Sequence, residues 1–287
     1  MLNKFNIIIE NIKLKLINFF LNYNSLEINS KLLINKIKKN LLQRGIPSYI
    51  LDGYRIYSQN DEDGIIYSIF NDIGLDNKFF IEIGIGNGIE NNTHSLLLQD
   101  WKGIWIDSNT NNLKKIDEII KNNNLIIENK RITSENINET IQNLTKDLIK
   151  TKDIDFLTID IDSFDVFCIE KLTAVKPKLI CIEYNAKFPP PIEISINQNK
   201  NFIWDHDDYN GASLSFINSK LVNKGYKLIS TNITGNNAFF VLSKYYDKCK
   251  TKDQSIDDLY MPANYNLFNY FEAHKPSLKY LYDKLSK

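Results

Sequence analysis

Three glycines, Gly84, Gly86 and Gly88, stand at alternate positions where the apolar run 79–85 gives way to a turn, and Glu82 lies two residues before the first of them. Missing side chains allow positive φ and let the backbone pass close beneath a bound molecule. Asp107 closes the next apolar run, nineteen residues after Gly88, where a carboxylate can accept hydrogen bonds from both hydroxyls of a ribose. A dinucleotide fingerprint has the spacing GxGxxG, which seats a pyrophosphate on a helix N-terminus. Here the spacing is GxGxG with an acid beside it, so no phosphate needs housing and a nucleoside bearing a cationic amine suits the turn better. S-adenosylmethionine meets that description.

A second group is acidic. Asp160 and Asp162 follow a later apolar run, Asp165 comes shortly after, and Glu183 with Asn185 ends the next run. Alternate residues of an extended chain point the same way, so Asp160 with Asp162, and Glu183 with Asn185, can face a common ligand. Four oxygen donors without cysteine suit a hard divalent cation, Mg²⁺ or Mn²⁺, which would polarise an acceptor hydroxyl. The alternatives are a general base without metal, for which Asp160 and Glu183 are the candidates, or acids that merely cap the following helices. His206, in Trp204-Asp205-His206-Asp207-Asp208-Tyr209, is the remaining catalytic candidate, because it titrates near neutrality beside an orienting acid. Phe188, Trp204 and Tyr209 offer an apolar wall for a sugar face or anchors for the loop. His94 reads as a packing or capping residue.

These groups need elements that bring them to one edge. The runs 79–85, 103–107, 125–128, 154–160 and 178–183 lack polar alternation, the signature of strands buried on both faces of a parallel sheet. Between them Leu113, Ile116, Ile119 and Ile120 form one helical stripe, and Ile137, Ile141, Leu144 and Leu148 another. Before the first strand, Ile65, Ile66, Ile69, Phe70 and Ile73 predict a helix with Asp61 as N-cap and Gly74 as its stop. After the fifth strand, Pro189, Pro190 and Pro191 open a long loop of the functional kind. A helix over 212–224 and strands 226–231 and 237–243 follow, and so short a connection makes the last pair antiparallel. The expected fold is α/β, a doubly wound, seven-stranded, mostly parallel sheet with an antiparallel C-terminal hairpin. In such a sheet the strand ends that carry the glycine turn and the acids border one crevice. The division is a helical extension over 1–50, the body over 51–249 and a helical tail over 250–287.

The 287 residues are 43% hydrophobic and 24% charged, enough for one sizeable core and unlike a disordered chain. Thirty-five Lys and Arg balance thirty-five Asp and Glu, so no net positive field draws nucleic acid. Cys168, Cys181 and Cys249 are odd in number and lack CxxC spacing, which suits a reducing cytoplasm. The stretch 5–23 is apolar but contains Glu10, Lys13 and Lys15, so an amphipathic helix is expected, not a signal peptide or a span. Packing on the body or in a homo-oligomer is its expected role, and docking on a membrane surface is the alternative.

The glycine turn, Asp107, the strand pattern and the final hairpin resemble a class I S-adenosylmethionine-dependent methyltransferase. Tyr57-Ser58-Gln59-Asn60-Asp61-Glu62-Asp63-Gly64, Ile159-Asp160-Ile161-Asp162 and Ile182-Glu183-Tyr184-Asn185 resemble the FkbM-like branch, associated with methylation of sugar and natural-product hydroxyls. The resemblance covers about 54–245. It departs from the branch at Asn60, commonly glycine, and at Asp162-Ser163, where acid–glycine is usual. It implies that Glu82, Gly84, Gly86 and Gly88 hold the methionine moiety and nucleoside, that Asp107 with neighbouring Ser108 holds the ribose, and that Gln59 closes the site. The expected activity is O-methylation of a small-molecule or nucleotide-linked sugar. The rivals are an NAD-dependent oxidoreductase, disfavoured by the GxGxG spacing, and a metal-dependent glycosyltransferase, which would leave the glycine turn without a purpose.

Overall fold

The computed structural model describes residues 25–120, 124–161, 164–197, 207–268 and 276–286. Seven strands form one sheet: β1 Phe79–Ile83, β2 Lys102–Asp107, β3 Leu125–Asn129, β4 Asp153–Ile159, β5 Lys176–Glu183, β6 Tyr226–Thr231 and β7 Asn237–Leu242. Their order is β3-β2-β1-β4-β5-β7-β6. The first five are parallel, and β7 runs antiparallel to both its neighbours. The order reverses direction between β1 and β4, and it is at the carboxyl edge of such a switch point that open α/β sheets take their ligands.

Strand alternation divides the core in two. Ile81, Ile83, Ile104, Leu157, Ile159, Ile180 and Ile182 point to the side covered by α5 (Ile137–Thr145), α6 (Asp165–Lys171) and α7 (Leu214–Asn223). Phe80, Trp105, Phe156, Leu179, Cys181 and Phe239 point the other way, towards α2 (Glu62–Ile73), α3 (His94–Leu98), α4 (Thr110–Ile119) and α9 (Lys279–Leu285). Continuous burial along β1, β5 and β7 is what a sheet covered on both faces requires. All three cysteines are buried and unpaired.

The sequence reading needs local correction. Ile119 is exposed on α4, and Leu148 lies exposed beyond the end of α5. α7 starts two residues later than expected, because Ser213 caps it by accepting from the Phe216 N–H. Asp61 does precede α2, yet its carboxylate makes no cap bond and turns instead to the Ile233 N–H, at 3.1 Å. Gly74, with φ of +77°, stops α2 as expected. In the tail the described helices are short, α8 (Ile256–Leu259) and α9. In the N-terminal region, helix α1 covers 25–43, and the stretch 5–23 lies outside the described residues.

Candidate functional site

β1 ends in the glycine turn, where Gly84, Gly86 and Gly88 have φ of +89°, +55° and +75°. Two of the three answer to packing. A Cβ on Gly84 would lie 1.6 Å from the Asp160 carbonyl oxygen, and one on Gly88 would lie 2.9 Å from Ile116 Cδ1. Gly86 differs, since a Cβ there would meet nothing within 4 Å. The backbone of Gly86 therefore borders open space, as a strand-end turn must where a ligand is to lie across it. Asp107, at the end of β2, closes this turn: its Oδ2 accepts from the Gly86 N–H at 2.8 Å and its Oδ1 from the Asn109 N–H at 2.7 Å. Each oxygen keeps further lone-pair capacity for a ribose hydroxyl, and exposed Ser108 follows directly.

Glu82 lies beneath the turn and is buried. It accepts from the backbone N–H groups of Asn92 at 3.0 Å and Thr93 at 3.2 Å, and from the Thr93 hydroxyl. Burial pushes its carboxyl up to about 7, against the pull of those donors. In this structure Glu82 thus holds the segment behind the glycine turn, which is not directly helical: α3 begins only at His94. Trp105 Nε1 donates to the Thr93 hydroxyl at 2.8 Å. His94 is buried, stacks on Tyr57 at 3.7 Å and directs Nδ1 to the Gly88 carbonyl, at 3.1 Å. Burial lowers its pKa to about 4, so it is a neutral packing residue as expected.

Register assembles the rest. Ile83 pairs with Ile159, Ile159 with Ile182, and Glu183 with Asn237. Gly84 and Asp160, one step past the first of these pairs, thus align with Glu183 and Asn237 in a row across four strand ends. The row beneath is Glu82, Thr158, Cys181 and Phe239. Asn92 bridges into that lower row, donating to the Thr158 hydroxyl at 3.1 Å. Asp160 is exposed and Glu183 half-buried, so both candidate bases are open to solvent at the carboxyl edge of the sheet. Asp165 is buried at the start of α6, where it accepts from the Ile161 N–H.

Asn185 has a structural task at this strand end. Its amide donates to the carbonyls of Asp208 and Asn210, and its oxygen accepts from the Lys187 N–H, so it fastens the loop to the end of β5. The described residues contain no group of three or more His, Cys, Asp or Glu that could hold a metal ion. Of the Mg²⁺ or Mn²⁺ set, Asp160 and Glu183 stand at the ends of neighbouring strands with Asn185 just beyond β5, whereas Asp162, like His206 and Trp204, lies outside the described residues. The loop is pinned at both ends: Ser195 bridges Ala212, and the Asn197 N–H donates to the Tyr209 hydroxyl.

The segment 58–63 forms the opposite wall. Asp63 Oδ2 accepts from the N–H groups of Ile56, Tyr57 and Ser58, and Oδ1 from the Ser95 hydroxyl. Glu62, fully buried, accepts from the side-chain amides of Asn232 at 2.7 Å, Asn237 at 2.8 Å and Asn60 at 3.3 Å. This asparagine cluster places exposed Gln59 near Asn236, with the Asn236 amide donating at 3.4 Å. The sequence reading missed Asn92, Asn232, Asn236 and Asn237. Their signal was the asparagines flanking a glycine turn, which a chain rich in asparagine conceals.

With β7 inserted antiparallel between β5 and β6, the chain has the seven-stranded, mostly parallel α/β sheet with a C-terminal hairpin that its sequence leads one to expect. No protein-family model matches the sequence, and no curated protein matches it. Among solved structures, it is similar to a putative S-adenosylmethionine-dependent methyltransferase from Listeria monocytogenes, with 12% identity and a TM-score of 0.40 over 63% of this chain and 97% of that one. A putative sarcosine dimethylglycine methyltransferase from Galdieria sulphuraria matches with 12% identity and a TM-score of 0.38 over 72% and 78% of the two chains. An O-methyltransferase family protein from Burkholderia thailandensis matches with 11% identity and a TM-score of 0.35 over 63% and 57%. Likeness at this level carries no argument about the reaction, which rests on the residues of the crevice.

Proposed function

We propose that this protein is an S-adenosylmethionine-dependent O-methyltransferase acting on a hydroxyl of a sugar or glycoconjugate precursor. The observation that carries the reading is the open backbone of Gly86 closed onto the Asp107 carboxylate, at the strand ends where a nucleoside can lie. When bound, S-adenosylmethionine supplies an electrophilic methyl group on a sulfonium. Asp107 and Ser108 take the ribose, the glycine turn passes under the nucleoside, and Gln59 closes the opposite side. An acceptor oxygen would bond to that methyl carbon while sulfur kept the electron pair of the broken carbon–sulfur bond. The hydroxyl proton passes to Asp160 or Glu183, neighbours at the ends of β4 and β5, with His206 the remaining candidate. Alignment of oxygen, carbon and sulfur supplies much of the rate. The choice of a sugar rests on the resemblance of 57–64, 159–162 and 182–185 to the FkbM-like branch.

Calorimetry with S-adenosylmethionine tests the donor. Asp107→Ala removes two hydrogen bonds to ribose, about 1.5–3 kcal/mol each when charge-assisted, so affinity should fall by at least about 100-fold. Unchanged affinity in a folded Asp107→Ala protein would refute the assignment. Methyl transfer from labelled donor to a panel of hydroxylated sugars, with amine acceptors as controls, tests the acceptor.

A further inference from the structure

α1 has one committed face. Leu41, with half-buried Ile34 and Ile37, packs against Ile50, Ile233, Met261 and Leu267. Lys38 turns inward to the carbonyls of Leu51 at 3.2 Å and Gly53 at 2.8 Å, and Arg44 reaches Asp258 at 3.4 Å. The outward face is different. Ile28, Leu32 and Leu42 are 58%, 62% and 65% exposed there. Ile28, Leu32, Lys36 and Lys39 follow one another at spacings of four, four and three, so they form a single stripe, and both lysines are exposed. Folding of the body does not require this stripe, whose apolar members face away from the contacts that hold α1.

Charge indicates what meets it. Residues 25–44 contain five Lys and Arg against one acid, whereas the whole chain balances 35 against 35. The segment that exposes Ile28 and Leu32 is thus net positive, and the remainder of the chain is net acidic. We propose that α1 docks the protein on an anionic lipid surface, with Ile28 and Leu32 entering the headgroup boundary and Lys36 and Lys39 meeting lipid phosphates. A helix that combines exposed apolar side chains with lysines lies in the plane of such a surface. Among the described residues no helix is long and apolar enough to cross a membrane. A second copy is a poorer occupant, because it would set lysine against lysine. Docking also has a bearing on the crevice: α1 rests on Ile233, in the hairpin turn whose asparagines form its rim.

The test is flotation of the full chain with vesicles of phosphatidylcholine alone or mixed with phosphatidylglycerol. The protein should float with the mixed vesicles at low salt, remain unbound with phosphatidylcholine alone, and be released by high salt. Each lysine near an anionic surface strengthens partition about fivefold, so Lys36→Glu with Lys39→Glu should weaken it by about 25-fold or more. Leu32→Ser should also weaken it, and thermal denaturation should show these surface variants folded as the wild type. Absence of flotation on mixed vesicles, or flotation indifferent to all three substitutions, would overturn the proposal. So would a dimer in size-exclusion chromatography that dissociates on the same substitutions, which would assign the face to a second copy.

Discussion

Asp61 and Glu62 are consecutive buried carboxylates with unequal company. Glu62 accepts from three side-chain amides and the Asn60 N–H, whereas both oxygens of Asp61 turn to the one Ile233 N–H and no side-chain amide among the described residues donates to them. Burial, and then the neighbouring Glu62, push the Asp61 carboxyl up to about 8. A folded-state pKa above the unfolded 3.8 means that the folded protein binds the extra proton. The associated stability is present in full below about 4 and is lost as pH rises to about 8. Asp61→Asn keeps an oxygen for Ile233 and removes the charge, so its advantage over wild type should grow from pH 5 to pH 8, by on the order of 1–3 kcal/mol. Thermal denaturation of both proteins at the two pH values measures this, and an advantage independent of pH would count against it. Asp61 was legible as a residue before a helix, but only the hairpin turn, distant in sequence, decides where its carboxylate points.

At the scale of elements, the glycine turn shows how one motif serves two purposes. The alternating glycines and the acid closing the next strand could be read from spacing, but which glycine faces a ligand could not. Gly84 is fixed by its approach to the Asp160 carbonyl at positive φ, so Gly84→Ala combines backbone strain with a clash that neither strand can relieve. It should cost about 3 kcal/mol or more in urea denaturation. Gly86→Ala, with open space around it, should remain much closer to wild type in the same measurement. Equal losses would show that strain at positive φ, not the contact with Asp160, governs the turn. The 57–64 motif repeats the lesson, because Asp63 gathers three backbone N–H groups and Gly64 must lack a side chain, a Cβ there lying 2.3 Å from the Asp52 carbonyl oxygen.

Across the whole molecule the two edges of the sheet are treated differently. At the amino edge, buried Asp155 accepts from the N–H groups of Asp76, Asn77 and Lys78, and buried Lys178 pairs with Asp76 at 2.8 Å and Asp155 at 3.4 Å. At the carboxyl edge, Asp107, Asp160 and Glu183 retain solvent exposure. α9 closes the second core from the far end of the chain, placing Leu278, Leu281 and Leu285 with the residues of α2 and α3. Leu281→Ala should therefore destabilise the entire domain by about 2–5 kcal/mol, seen as a lower urea midpoint with an unchanged slope. A loss confined to fraying of the tail would leave the main transition in place and disprove that coupling.

Sequence by itself determined the strands, their mainly parallel arrangement and the hairpin, because burial on both faces writes itself as unbroken apolar runs such as Ile154 to Ile159. It also determined the glycine turn and Asp107, whose chemistry depends on spacing along adjacent strand ends. Tertiary structure alone decided what the polar side chains do. Glu82 turns to Asn92 and Thr93, Asn185 to the loop, and Glu62 to asparagines 170 or more positions away. Apolar burial is a local, periodic requirement repeated along each element, whereas a buried hydrogen bond depends on which single partner the packed chain delivers within about 3 Å.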